Sequence, residues 1–381
     1  MRSLWNLGFR PFYLLASLFS VLWIVVWVLQ YVGRFPSGAY LQGPLWHGHE
    51  MVFGYTLAVI AGFLLTAVRN WTGRPTPSGS LLAALAALWV AARIAVLTPF
   101  ATAAMWLNAS FPVAVAVAIG VPLVQARNRR NYLFVALLLG VAAAILVLHL
   151  AMQGDSTFPA RSGLVIGLDI VLFVISVIAG RVVPMFTNNG VPGARARRNL
   201  WVERAALGGV LLLLALDVLR APTAAIAAAA AAAALVHAVR LALWDTRCTL
   251  GTPLVWVLHA GYAWVVVHLA LRAGAAAGLV SESLALHALS VGAIGGLTIG
   301  MMTRTARGHT ARPLVADRWE TTAYVLVLLA AVVRVFGGWA FPSNYVATVI
   351  GAAALWSAGF GIYFVRYWPI LTRPRLDGRP G

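Results

Sequence analysis

Residues Ser281–Pro313 read SESLALHALSVGAIGGLTIGMMTRTARGHTARP, and this stretch decides the fold. No formal charge falls between Leu284 and Met302, which matches the roughly 20 apolar residues that a helix needs to cross a bilayer. His287 nonetheless sits near its start, and Arg304, Arg307, His309 and Arg312 follow its end. An imidazole inside hydrocarbon costs free energy unless it has a partner, so His287 is a functional-site candidate. At about 100° per residue, Ile294, Thr298 and Met301 share the face of His287. Gly292, Gly296 and Gly300 form a GxxxGxxxG stripe on a different face, of the kind that lets another backbone come close. One face is expected to pack and the other to present a ligand.

The rest of the chain is built the same way. Of its 381 residues 61% are hydrophobic and only 10% charged, and the mean hydropathy is +0.87. Soluble domains carry roughly 25% charged residues, so the composition predicts an all-α, polytopic integral membrane helix bundle forming a single domain over residues 1–381. The net charge of +18 does not imply a nucleic-acid partner, because the basic residues lie in short loops between apolar runs and not on one soluble face. All 28 basic residues are Arg, which together with the many Ala reflects base composition more than function. Cys248 is the only cysteine. That excludes an intrachain disulfide, a Cys-cluster zinc site and a Cys-ligated iron–sulfur cluster, and with no C-x-x-C-H motif any haem must be held non-covalently.

Twelve apolar segments are expected as spans: Pro11–Val32, Leu45–Val68, Leu81–Leu97, Ala104–Val124, Tyr132–Leu150, Gly163–Phe186, Leu200–Leu219, Thr223–Leu243, Pro253–Leu271, Ser283–Met302, Thr321–Ala340 and Tyr345–Phe364. The basic start MRSLWNLGFRPF precedes a long apolar run without a small-residue cleavage site, so the first segment reads as an uncleaved span. With this topology 21 Arg fall on one side and 6 on the other. The positive-inside rule then puts both termini in the cytoplasm. Leu219 to Thr223 leaves only a tight turn between the seventh and eighth segments, and no six-plus-six repeat is apparent.

The chemistry-bearing residues are mostly His and Arg. Leu45-Trp-His-Gly-His-Glu-Met51 opens the second segment. In an ideal helix His47, Glu50 and Met51 share a face that His49 does not, and His with Met is a donor set suited to copper. The candidate metal ligands are therefore His47, His49, Met51 and His287. In the ninth segment His259 and His268 are nine residues apart, near 180° around the helix. At 1.5 Å rise per residue, His268 lies roughly 4–5 Å, and His287 about 6–9 Å, below the outer end of its segment, so depth favours pairing His268 with His287. His149 and His237 read as interfacial, at opposite membrane sides. Arg181 precedes the apolar Val-Val-Pro-Met-Phe186, where an ion pair or an anionic ligand group would satisfy it, and Pro184 is expected to kink or end its helix.

Five motifs, WHGHEM, FLLTAVRNWTGRP, RVVPMFTNNG, LHAGYAW and HALSVGAIGGLTIGMMTRTARGHTARP, resemble the NnrS family of polytopic membrane proteins in that family's order, beginning with GFRPFYLLA. The resemblance implies haem b and copper as cofactors, a bacterial inner-membrane location, nitric oxide or a related small ligand as partner, and a role in the response to nitric oxide near denitrification. It maps the family's histidine-bearing motifs to His47, His49, His259, His287 and His309. His259, His268, His287, Arg181, Arg304 and His309 are thus the cofactor-binding candidates. The competing expectations are a haem–copper oxidase or nitric oxide reductase, and a metal-free transporter using intramembrane His and Arg. The first is disfavoured because no His-His dipeptide occurs, and the second because the polar motifs do not fall in matching halves.

Overall fold

A computed structural model of the chain describes residues 2–35 and 38–379. Among these the regular structure is helical and there is no strand, as hydrocarbon requires of a spanning segment whose backbone must satisfy its own hydrogen bonds. The main helices are α1 Phe9–Tyr31, α2 Gly43–Thr72, α3 Gly79–Ala95, α4 Ala101–Gln125, α5 Leu133–Gln153, α6 Ala160–Gly190, α7 Leu200–Val218, α8 Thr223–Ala242, α9 Pro253–Ala276, α10 Glu282–His309, α11 Arg318–Ala340 and α12 Tyr345–Thr372. Ten of the described helices are long and apolar enough to cross a membrane. The other two are α3, of 17 residues, and α7, which carries Glu203, Arg204 and Asp217.

Helix ends follow local chemistry. Gly73 closes α2 in the left-handed conformation (φ 65°) with its N–H on the Arg69 carbonyl, a position where a side chain would be strained. Asn199 caps α7 by accepting from the Trp201 and Val202 amides at 2.9 and 3.2 Å. Asp317 and Glu320 form a reciprocal capping box at the start of α11. The turn between α7 and α8 is where the spacing put it, with Arg220 at φ 53°. Pro184, expected to kink or end its helix, lies inside α6, which runs on to Gly190.

Three π interruptions among the described residues were not foreseen, the shortest being the five-residue Val333–Gly337 in α11. Glu50–Thr56 in α2 and Ala288–Ile294 in α10 are seven-residue π segments, which widen the turn and shift every face computed at 3.6 residues per turn. Inside the first, the Thr56 hydroxyl donates to the Met51 carbonyl at 2.8 Å, five residues back. Trp89 Nε1 of α3 donates to the Gly54 carbonyl at 3.1 Å.

The element order is that of a triplication. Helices starting at residues 9, 43, 79 and 101 are followed by helices starting at 133, 160, 200 and 223, then by helices starting at 253, 282, 318 and 345, an offset of about 120 residues each time. Val59-Ile-Ala-Gly62 in α2 is repeated as Val177-Ile-Ala-Gly180 in α6. His49 directly precedes the π segment of α2, as His287 precedes that of α10. Gly62 and Arg74-Pro75 recur at the same spacing as Gly300 and Arg312-Pro313. The internal repeat is thus four-plus-four-plus-four.

The helices group into two compact units. The first comprises Met1–Ile170 with Thr305–Pro313 and Phe364–Gly381, and the second Val171–Arg304 with Leu314–Tyr363. In the first unit α1 packs on α2 and α4 on α5. Arg10, fully buried, ties the chain ends together by donating from Nη1 to the carbonyls of Leu371 and Arg373 at 2.9 and 2.8 Å. In the second unit α9 packs against α8 and α10. Here the glycine stripe acts as anticipated: a Cβ on Gly296 would stand 3.0 Å from the Gly261 Cα of α9, and one on Gly300 2.7 Å from Val257. Two backbones that close tolerate no side chain between them.

Candidate functional site

The first unit holds a polar cluster in which every member is buried or nearly so. His49 and Glu50 come from α2, Arg93 from α3, Asn108 from α4 and His149 from α5, and Tyr40 comes from the loop before α2. His49 Nδ1 lies 2.8 Å from Glu50 Oε1. Arg93 donates to the same Glu50 oxygen and to Asn108 Oδ1. Asn108 is itself fixed by donating to the carbonyls of Ala104 at 2.8 Å and Ala92 at 3.3 Å. Arg93 Nε stays buried without a hydrogen-bond partner, so the ion pair offsets its desolvation only in part. Gly54 leaves the room, since a Cβ there would stand 2.8 Å from Arg93 Nη1.

His49 Nε2 stands 3.1 Å from His149 Nε2, and the Tyr40 hydroxyl bonds His149 Nδ1. One set of protons satisfies all of these contacts. A carboxylate can only accept, so His49 carries its proton on Nδ1 and offers a lone pair at Nε2. His149 then donates from Nε2 and accepts the Tyr40 proton at Nδ1. Burial pushes the Tyr40 phenol above its ordinary range, with Glu50 adding to the effect, which keeps the hydroxyl protonated.

Of the residues expected here, only His49 lies in this cluster. His47 stacks on Trp27, with ring centroids 4.7 Å apart and planes at 14°. Met51 is buried in the π segment. Glu50, expected on the face of His47, serves His49 instead. Gly48 is the small residue that seats the motif, because a Cβ there would stand 2.6 Å from Leu164. His149, Arg93, Asn108 and Tyr40 were not anticipated.

In the second unit His268 is 2% exposed. Its Nδ1 lies 2.8 Å from the Ala285 carbonyl of α10, while its Nε2 is buried and has no hydrogen-bond partner. His287, half-buried, turns its Nδ1 back to the Ser283 carbonyl at 2.7 Å. His268 therefore reaches α10 within two residues of His287, although the two rings address different carbonyls. His259 differs from both: Thr187 Oγ1 lies 2.8 Å from its Nε2 and Thr246 Oγ1 3.0 Å from its Nδ1. Arg181 is half-buried in α6, and the Arg304 guanidinium lies over the Phe186 ring at 3.7 Å. In the first unit the His309 ring lies 5.6 Å from that of Phe9, and its carbonyl accepts from Arg375 at 3.1 Å.

A further buried network escaped the sequence entirely. Arg240 of α8 donates to Glu203 of α7, to the Tyr262 hydroxyl at 2.8 Å and to the Ser176 carbonyl at 3.0 Å. His237, which reads from sequence as interfacial, is fully buried, with Nδ1 at 2.7 Å from the same hydroxyl and Nε2 at 3.3 Å from the Ala206 carbonyl. Among the described residues no group of three or more His, Cys, Asp or Glu is arranged to hold a metal ion. The chain matches the family described as NnrS protein over residues 3–375. No curated protein matches it.

Proposed function

The chain belongs to the NnrS family, and from that premise we propose that it is a haem b- and copper-binding protein of the bacterial inner membrane, with both termini cytoplasmic, that acts in the response to nitric oxide. The observation that carries this reading is the state of His268. One ring nitrogen is fixed on a backbone carbonyl at 2.8 Å, and the other is buried without a partner. Leaving a buried polar nitrogen unsatisfied costs about 1–3 kcal/mol. Metal-ligating histidines are held in this manner, with the non-ligating N–H fixed by an outer oxygen so that the other lone pair is presented.

The residues present fit the group. His268 supplies one neutral imidazole, and His287, at nearly the same level of α10, is the candidate for a second. Arg304 lies 17 residues beyond His287 in α10, about 25 Å away, and so is too far to meet the propionates of the same haem. When bound, haem supplies an iron centre able to take up nitric oxide. The protein's own part is to orient the ring nitrogens and to exclude water.

The test is the absorption spectrum and metal content of the purified full-length protein. A Soret band with stoichiometric haem, reduced severalfold in His268→Ala and lowered in His287→Ala, is the expected result. Wild-type protein with neither a Soret band nor copper would end the reading. Metal-independent anion uptake into proteoliposomes would replace it with a transporter.

A further inference from the structure

We infer that His49 and His149 together form a two-imidazole site for a soft monovalent cation, copper(I), in which Glu50 and Tyr40 orient the rings from behind. The inference deepens the copper half of the reading above and rests on it for the identity of the metal; the ligand pair rests on the geometry alone.

The two rings are aimed at one point. Their Nε2 atoms are 3.1 Å apart and the ring planes cross at 85°. Behind each ring an oxygen holds the other nitrogen: Glu50 Oε1 at 2.8 Å for His49, and the Tyr40 hydroxyl for His149. To bind the ion His149 moves its proton from Nε2 to Nδ1 and donates it to the Tyr40 oxygen, whose own hydroxyl proton turns away, so both Nε2 lone pairs face the metal. Both residues are fully buried, so no bulk water competes for the lone pairs. A metal ion sits about 2 Å from an imidazole nitrogen. Seating one between the two therefore asks the rings to part by roughly 1 Å, a rotamer-scale movement.

Charge and ligand count select the metal. The Glu50 charge is already matched by Arg93, so the cation meets two neutral donors and no net charge. No third His, Cys, Asp or Glu completes a cluster among the described residues. Zinc asks for four ligands and calcium for six or more oxygens. Copper(I) is stable between two opposed nitrogen donors, carries a single charge and suits imidazole.

The internal repeat supplies an independent argument. His149 in α5 and His268 in α9 lie near the outer end of the first helix of successive quartets, while His49 and His287 each stand directly before a π segment in the second. The residue that corresponds to His149 is thus the one whose Nε2 is left without a partner. Histidine at both places is what a ligand role kept through duplication leaves behind.

The test uses full-length protein in nanodiscs, loaded anaerobically with one equivalent of copper(I) and challenged with a chromophoric copper(I) chelator, with haem measured in the same samples. His49→Ala and His149→Ala are each expected to lose copper retention at least tenfold with haem unchanged, whereas His47→Ala retains it. Tyr40→Phe should weaken retention about tenfold, in the range for loss of an outer partner, and X-ray absorption should show two short nitrogen ligands. Should His149→Ala misfold, as read by loss of haem and of monodispersity, Tyr40→Phe and His149→Gln decide in its place. Wild-type copper retention in a folded His149 variant, or in both Tyr40→Phe and His149→Gln where His149→Ala does not fold, overturns the inference while leaving haem binding intact. Haem without any copper site overturns the copper assignment alone. Protein that binds neither overturns the reading on which it rests.

Discussion

Glu203 grips Arg240 with both of its carboxylate oxygens, Oε1 on Nε at 2.9 Å and Oε2 on Nη2 at 2.5 Å, with the arginine 1% exposed. This fork joins α7 to α8 and is braced on Ser176 and Tyr262. Gly180 makes room for it, since a Cβ there would stand 2.7 Å from Glu203 Oε2. Removing one partner strands a buried charge, which costs about 3–5 kcal/mol, whereas replacing both by apolar residues costs far less. Glu203→Leu and Arg240→Leu are each expected to lower the unfolding midpoint in detergent strongly, and the double variant to recover much of the loss. Thermal unfolding followed by size-exclusion chromatography checks this, and losses that simply add would show that the pair is not coupled.

The backbone crossing of α9 and α10 makes a sharper stability prediction. Gly296 and Gly261 lie so close that a methyl on either meets main chain, which cannot rotate away. Gly296→Ala and Gly261→Ala are expected to cost about 1–3 kcal/mol, as for an overpacked core. Gly208 of α7 is the control. Nothing lies within 4 Å of its missing Cβ, so Gly208→Ala should be neutral or mildly stabilising through its better helix propensity. Equal effects at all three glycines would contradict the crossing.

The glycine stripe and the helix count show what the sequence makes legible and where that ends. Hydropathy and glycine spacing are local signals, so the long apolar helices and the packing face of α10 could be read directly. Faces computed at a fixed 100° per residue lose register across the π segments. The two seven-residue segments, EMVFGYT and ALSVGAI, share a glycine at their fifth place and little else. That is why His47 was grouped with Glu50, while the structure bonds Glu50 to His49. His149 could not be distinguished from an interfacial histidine because its partner lies a hundred residues away in sequence. The triplication rests on element spacing and a few scattered identities, too sparse to emerge from a comparison of halves.

His259 and His268 share one helix yet predict opposite outcomes. Thr187 and Thr246 engage both ring nitrogens of His259, as in a hydrogen-bonded core histidine. Thr187→Val is expected to cost about 0.5–1.5 kcal/mol, the value of one such bond, and His259→Asn to leave haem content near wild type. His268→Ala, by contrast, should lower haem content, and it also loses stability with the Nδ1 bond to the Ala285 carbonyl and the buried volume of the ring. Spectra normalised to folded protein distinguish the two, and a His259 variant that folds without haem would move the ligand to that residue.

Arg93 links the stability of the first unit to its chemistry. Its guanidinium holds Glu50 and is held by Asn108, and Glu50 in turn fixes the Nδ1 proton of His49. Arg93→Met leaves a buried carboxylate without its counter-charge, and the cheapest remedy is for Glu50 to bind a proton. A protonated Glu50 no longer obliges His49 to keep its own proton on Nδ1, so the Nε2 lone pair is no longer assured. The variant is therefore expected to fold less stably by about 3–5 kcal/mol and to lose copper retention by roughly 10–100-fold, with haem unchanged. Glu50→Gln combined with Arg93→Met should recover much of the stability, since no charge is left buried, but little of the copper, since an amide can donate to His49 as well as accept. Recovery of both together would mean that the ion pair serves only to hold α2 and α3, and that His49 needs no partner behind it.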